Sequence, residues 1–133
     1  EGLKLVLGNK STVIPINGVW NSTDKTKYPL SKAFYTTAKP SMEFMSGKMI
    51  LEDTIIIMVA PWANLETYEL ETSKIIESFL PLFNTDLVRT EMDPAYQGMI
   101  GKISFTSADI VDTDLQNPAA AVKFTISVKY AVT

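Results

Sequence analysis

Apolar and polar residues alternate through the C-terminal segment from Val122 to Val132. The apolar positions are Val122, Phe124, Ile126, Val128, Tyr130 and Val132, and between them lie Lys123, Thr125, Ser127, Lys129 and Ala131. Because successive side chains of a strand point to opposite faces, this pattern predicts a strand with one apolar and one hydrated face. The last residues are therefore expected to be part of a sheet.

The segment from Lys48 to Ala60 predicts a second long strand. Its second half is apolar on both faces, which is typical of a central strand. Its first half contains Glu52, Asp53 and Thr54, and we expect this half to reach water.

A third strand is predicted over Lys102–Val111. Its apolar alternation changes phase after Phe105, which indicates a β-bulge. The segment Asp112–Pro118 is a polar turn that leads to the C-terminal strand. We therefore expect Lys102–Val111 and Ala121–Val132 to form an antiparallel hairpin.

An amphipathic helix is predicted between the second and third strands. Pro61 ends the strand, and Asn64 is a favourable N-cap residue. The expected buried stripe has the i, i+3, i+4, i+7 spacing and consists of Tyr68, Thr72, Ile75, Ile76, Phe79, Leu80 and Phe83. Pro81 should kink or end this helix, which is expected to span about 15 to 19 residues between Leu65 and Phe83.

The N-terminal half contains shorter β-type patterns. Leu3–Leu7 and Thr12–Ile16 predict two strands joined by a hairpin turn, and Pro15 places the second of them at a sheet edge. The polar segment Asn21–Pro29 predicts a loop. Leu30–Thr37 then predicts a strand that is interrupted by Pro40, and an extended pattern resumes at Met42.

Together these elements predict an α+β fold, with a mostly antiparallel sheet and one main helix packed on one face. The segment Asn84–Gly98 is compatible with either a short strand or a helical turn around Leu87 and Met92. With 133 residues and no visible linker or repeat, we expect a single domain over residues 1–133.

Composition narrows the function classes. The chain has 12 Lys and Arg against 15 Asp and Glu, a net charge of −3, which argues against specific nucleic-acid binding. It has no His and no Cys, so the commonest general base and the thiolate nucleophile are missing, and we expect neither enzymatic activity nor a cofactor. No apolar run approaches the ~20 residues of a membrane span. The chain starts at Glu1 rather than Met, which leaves open whether residues precede it.

Candidate chemical motifs have simple structural interpretations. Asp109, Asp112 and Asp114 offer the oxygen ligands that Ca²⁺ prefers, but they lack the Gly and distal Glu of a complete EF-hand loop. Glu52 and Asp53 are adjacent on a strand and point to opposite faces, so they cannot act on one substrate atom. We therefore predict no catalytic residue and no metal ligand.

Two further short motifs carry little weight. The residues from Gly98 to Lys102 form a G-x-x-G-K fragment that is too short for a Walker loop and precedes a strand. Asn21-Ser22-Thr23 matches the N-glycosylation sequon, which is frequent by chance.

Aromatic and acidic residues beside predicted loops are candidates for a protein interface. Trp62 lies at the strand–helix corner, where it either packs against that corner or anchors a partner. The same alternatives hold for Trp20 and Tyr28, which flank the polar loop. Asp112 and Asp114 belong to the polar turn before the last strand and complete the set of possible interface residues.

The order of elements from Lys48 to the C-terminus resembles the tail terminator proteins of long-tailed bacteriophages, the lambda type. That family has a long strand, a helix, a variable stretch and a final antiparallel pair, and the ending FTISVKY (Phe124 to Tyr130) is similar to its terminal strand. The likeness covers about two-thirds of the chain and includes no diagnostic motif. Terminators usually begin with a helix on the sheet, whereas no helix is predicted here before Asn64.

The resemblance implies a structural virion protein, either a tail terminator or a head–tail connector (neck) subunit. It implies a homo-oligomeric ring, such as a hexamer, that caps the tail tube and contacts tube and connector proteins. One alternative is a small-ligand-binding or enzymatic α+β domain, which requires a closed apolar pocket with converging polar groups. Another is a surface adhesion module, which a glycan on Asn21 would favour.

Overall fold

Strand Lys48–Ala60 lies at the centre of a five-stranded sheet in the computed structural model, which describes residues 7–15, 20, 24–45, 48–84, 100–115 and 117–132. The elements are β1 (Thr12–Val13), β2 (Leu30–Met45), β3 (Lys48–Ala60), helix α1 (Tyr68–Phe79), β4 (Ile100–Asp112) and β5 (Ala120–Val132). The sheet order is β1-β2-β3-β5-β4, and every adjacent pair except β1–β2 is antiparallel. The predicted α+β fold is confirmed.

The hairpin of β4 and β5 has the bulge that the phase change predicts. Phe105 lies opposite Ile126 and Ala108 lies opposite Phe124, so Thr106 is the extra residue on β4. Because one residue is inserted, Phe105 and Ala108 both pack against the same apolar core despite their odd spacing.

The α-helical part of α1 is shorter than predicted, with 12 residues over Tyr68–Phe79, and its N-cap residue is Thr67 rather than Asn64. The Asn64 side chain accepts hydrogen bonds from the backbone N–H groups of Glu66, at 2.9 Å, and Thr67, at 3.0 Å, so it caps the turn before the helix. The α-helical part ends at Phe79 and continues as a 3₁₀ turn, Leu80–Asn84. Pro81 lies in this turn and ends the α-helix, as predicted, because it has no N–H.

The main core lies between α1 and the sheet. Its buried members are Leu7, Ile55, Ile57, Val59, Ile75, Phe79, Phe83, Val122, Phe124, Ile126 and Val128. The ring of Phe124 on β5 packs against Phe79 and Phe83, with centroid separations of 6.4 and 5.0 Å. The apolar face predicted for the C-terminal strand is the face that this core buries.

The opposite face of the sheet is only partly covered. Trp20, Leu30, Ala60 and Ala121 form a second buried cluster at one end of it. The hydrated face predicted for β5, formed by Lys123, Thr125, Ser127 and Lys129, is half-buried in the single chain.

The predicted N-terminal hairpin is wrong. Leu7 and Gly8 have helical backbone, and the Leu7 carbonyl accepts hydrogen bonds from the N–H groups of Lys10 and Ser11 at 3.0 and 2.9 Å. The prediction that no helical segment precedes Asn64 is therefore also wrong. Strand β1 lies at a sheet edge, as predicted, but it pairs in parallel with β2. Residues 3–6 lie outside the described residues.

Two other expectations in the sheet need correction. Strand β2 does not stop at Pro40, which lies opposite Leu51. A register shift follows before Phe44, and this irregularity accommodates the N–H that Pro40 lacks. Asp53 was expected to reach water but is only 3% exposed. Its side chain lies on the core side of β3, whereas the side chain of the preceding residue, Glu52, lies on the opposite face. The ambiguous residues 85–98 lie outside the described part of the chain.

The Phe124→Ala variant tests the core. We expect its free energy of unfolding to fall by about 3–5 kcal/mol, because the ring is fully buried between Phe79 and Phe83 and its removal leaves a cavity. Urea denaturation monitored by circular dichroism measures this loss. The control is Leu70→Ala, whose side chain is 60% exposed and should cost under about 0.5 kcal/mol. Equal losses would contradict this assignment of the core.

Candidate interaction surfaces

Two of the predicted interface residues, Tyr28 and Trp62, lie side by side. Their ring centroids are 5.2 Å apart with an interplanar angle of 71°, an edge-to-face contact. The register of β2 and β3 places Leu30 opposite Ala60, so the residues just before one strand and just after the other meet. We call the group Tyr28, Pro29, Pro61 and Trp62 the aromatic corner.

Two hydrogen bonds link the residue after the aromatic corner to the turn before β5. The Ala63 N–H donates to Asn117 Oδ1 at 3.1 Å, and the Ala119 N–H donates to the Ala63 carbonyl at 2.9 Å. Three segments that are distant in sequence therefore meet beside the start of α1.

An open cleft of about 460 Å³ lies at the aromatic corner. Besides the corner, its lining includes Lys25, Asn64, Thr67, Glu71 and Asn117. Burial raises the pKa of the Tyr28 phenol, and the Glu71 carboxylate pairs with Lys74 at 3.2 Å. The cleft thus combines apolar ring surfaces with a few polar groups.

The polar loop leading to the corner is locally ordered. Asp24 accepts hydrogen bonds from the hydroxyl and the backbone N–H of Thr26, at 2.6 and 3.0 Å, and these bonds lower the pKa of its carboxyl group. The 3₁₀ turn Lys25–Lys27 follows. The predicted sequon at residues 21–23 lies outside the described residues.

Trp20 is more deeply buried than Tyr28 and Trp62, and Tyr28 packs against the cluster that contains it. Its side chain is 8% exposed and belongs to the second buried cluster. The ammonium group of Lys32 lies 4.4 Å from the ring centroid, and burial lowers the pKa of Lys32. Little of the Trp20 ring is left for a partner, and its role at an interface stays a prediction.

Two of the three predicted acidic side chains, Asp109 and Asp112, accept local hydrogen bonds. Asp112 Oδ1 accepts a hydrogen bond from the backbone N–H of Asp114 at 2.8 Å. Asp114 has φ of 60°, a left-handed conformation that Asp tolerates better than most residues. Asp109 accepts from the Ser107 hydroxyl at 3.2 Å. Among the described residues, no group of three or more acidic side chains could hold a metal ion.

An exposed apolar surface lies beside the start of α1, and sequence reasoning missed it. Leu65, Tyr68 and Ile110 line a shallow cleft of about 250 Å³, and we call them the apolar patch. Leu65 is 73% exposed and Ile110 is 49% exposed. Leu65 and Ile110 fit the regular patterns of a helix and a strand, so neither was singled out. The only sign in the sequence was that Leu65 precedes the buried stripe of α1.

Among the described residues, the space between α1 and the sheet is filled by packed side chains. Phe79, Phe83 and Phe124 are fully buried there. Both clefts described above open at the surface beside this core. In the described part of the chain, this packing does not favour the closed apolar pocket that a ligand-binding or enzymatic domain requires.

Asp53 is the buried carboxylate of the core face. The Tyr130 hydroxyl donates a hydrogen bond to Asp53 Oδ1 at 3.2 Å, across the paired strands β3 and β5. Sequence reasoning missed this pair, although both residues occupy core-facing positions in their strands.

The comparisons with known proteins do not identify the chain. No protein-family model matches it, and no curated protein matches its sequence. Across the ranges that the structure describes, no helix has the length and apolar character needed to cross a membrane.

The Tyr130→Phe variant tests the hydrogen bond to Asp53. We expect the free energy of unfolding to fall by about 1–3 kcal/mol, because a buried acceptor loses a donor. Chemical denaturation measures this loss. The matched control is Tyr68→Phe, whose hydroxyl donates to the exposed Glu69 carboxylate at 3.5 Å and should contribute less than about 0.5 kcal/mol. Similar losses in both variants would argue against a stabilising role for the buried pair.

Proposed function

We propose that the chain is a structural virion protein, a tail terminator or head–tail connector subunit that forms a homo-oligomeric ring on a phage tail tube. The arrangement of β3, α1 and the final β4–β5 hairpin supports this proposal, because it has the element order of the family that the sequence resembles. On this proposal the protein has no catalytic role and no cofactor, and it acts in the virion.

The observation that carries the proposal is the position of Leu7. Terminators usually begin with a helix on the sheet, and Leu7 has helical backbone and a fully buried side chain in the core that contains Phe79 and Phe124. The segment after Leu7 also contacts α1. Lys10 donates to the Ser78 carbonyl of α1 at 2.9 Å. The N-terminal segment thus supports the family pattern rather than departing from it.

The apolar patch is the proposed contact between subunits. Ile110 belongs to β4, which lies at one edge of the sheet. An edge strand beside exposed apolar side chains is a typical site for association with another chain. In a ring this contact is head-to-tail, so the patch of each subunit contacts a different surface of the next one.

Other surfaces are proposed for the neighbouring components of the virion. Residues 24–27 of the loop before Tyr28 and the turn residues Asp112 and Asp114 are exposed, and we expect both segments to contact tail tube and connector proteins. We expect no membrane partner and no specific nucleic-acid binding, in line with the net charge of −3.

Native mass spectrometry and negative-stain electron microscopy of the purified chain test this function. We expect closed rings whose mass is an integral multiple of the subunit mass, in equilibrium with monomer and favoured by high concentration. A chain that remains strictly monomeric at every attainable concentration would contradict the proposal.

The Leu65→Asp and Ile110→Asp variants test the proposed contact. Each places a charge in the apolar patch, and we expect subunit association to weaken at least tenfold, because an unpaired charge in a contact costs more than about 1.4 kcal/mol. Sedimentation velocity measures the association. The control is Leu70→Asp, an exposed leucine of α1 outside the patch, which should still assemble. If Leu70→Asp alone lost assembly, the contact between subunits would lie outside the apolar patch.

A further inference from the structure

Four of the residues that line the cleft at the aromatic corner have ring side chains. Tyr28 and Trp62 form its aromatic surface, and Pro29 and Pro61 flank them. Its volume of about 460 Å³ lies within the range of ~300–1,000 Å³ that is usual for binding clefts. Flat, rigid side chains of this kind bind a ligand with little loss of side-chain entropy.

Three donor groups of this cleft have no hydrogen-bond or ion-pair partner among the described residues. The indole N–H of Trp62 and the side-chain NH₂ of Asn117 make no hydrogen bond within the described residues, although Asn117 Oδ1 accepts from Ala63. The ammonium group of Lys25 is exposed and makes no ion pair in the same part of the chain. The cleft therefore presents three donor groups to a ligand.

The acceptors of the cleft are largely occupied. Asn64 Oδ1 already accepts from Glu66 N–H, Thr67 N–H and the Thr67 hydroxyl, at 2.9, 3.0 and 3.2 Å. One carboxylate oxygen of Glu71 pairs with Lys74. A ligand that brings many donors, such as a sugar, would leave most of them without acceptors, and that is costly.

We propose that this cleft binds an extended, proline-containing segment of a partner protein. Proline residues offer carbonyl acceptors and have no N–H, which complements a cleft with spare donors and few free acceptors. Their preformed polyproline II conformation packs against aromatic grooves at low entropic cost. The Trp62 indole N–H and the Asn117 NH₂ donate to carbonyl oxygens of the segment, and the rings of Tyr28 and Trp62 contact its prolines.

This inference goes beyond the proposed ring and does not depend on it. The cleft at the aromatic corner and the apolar patch have different lining residues. Association of subunits is measured from the mass of the assembly, whereas peptide binding is measured from the NMR signal of one side chain, Trp62. If one proposal fails, the other is still tested independently by its own experiment.

Nitrogen-15 tryptophan labelling of the full chain provides the test, since the chain has two tryptophans. Transverse-relaxation-optimised spectra resolve their indole N–H signals even in a large assembly, and loss of one signal in Trp62→Phe assigns them. With acetyl-hexaproline-amide as the probe, we expect the Trp62 signal to shift saturably. The Trp20 signal should shift far less, because that ring is buried and does not line the cleft.

Two comparisons make the test specific. A Gly-Ser peptide of the same length should shift the Trp62 signal far less than the proline peptide does. No shift at millimolar proline peptide, equal shifts of both tryptophans, equal binding of the Gly-Ser peptide, or stronger binding of an oligosaccharide would each overturn the proposal.

Two conservative variants test the donors. Trp62→Phe keeps an aromatic ring but removes the indole N–H, and we expect affinity for the proline peptide to fall about tenfold. Asn117→Asp keeps the oxygen that accepts from Ala63 but removes the NH₂ donor, and it should also weaken binding. For these variants the chain is labelled uniformly with nitrogen-15, so that unchanged amide signals of the sheet establish folding and titration of the amide signals measures affinity. Wild-type affinity in both folded variants would overturn the assigned donors.

Discussion

The uninterrupted pairing of β3 with β5 is the constraint on which the rest of the structure depends. The two strands pair from Met49 opposite Val132 to Val59 opposite Val122 without a bulge. Because no residue is inserted, the alternation of both strands stays in phase, and the side chains that they contribute to the main core all face α1. Helix α1 can then place Phe79 against Phe124 and close the core. A one-residue slip of either strand would turn its apolar side chains to the opposite face.

The same sheet positions the candidate surfaces through the ends of its strands. Where β3 ends, Pro61 and Trp62 meet Tyr28, because Leu30 lies opposite Ala60. The bond from Ala63 to Asn117 then draws the turn before β5 to the same place. The cleft is therefore a consequence of strand register rather than of any local motif, and its chemistry depends on which hydrogen-bonding groups the fold has already used.

This dependence explains how much of the molecule could be predicted from sequence. Strands β3 and β5, the bulge after Phe105 and the buried stripe of α1 were predictable, because each leaves a periodic pattern in a single segment. Strand β1 was predicted at a sheet edge, but its parallel pairing with β2 was not, because that partner is distant in sequence and leaves no local pattern. Tyr28 and Trp62 were singled out separately, but their contact requires the register of β2 with β3. The spare donor of Asn117 becomes visible only when its other hydrogen bonds are known.

The partly covered face of the sheet limits how subunits could associate. It carries charges of both signs in register, with Glu52 opposite Lys129 and Asp109 opposite Lys123. Opposite charges placed across paired strands stabilise a sheet modestly while they remain hydrated. Burying this face against another subunit would remove that water and raise the cost of the charges. In a ring of the proposed kind, the face is therefore better suited to a water-filled lumen, and the apolar patch at the β4 edge is better suited to the contact between subunits.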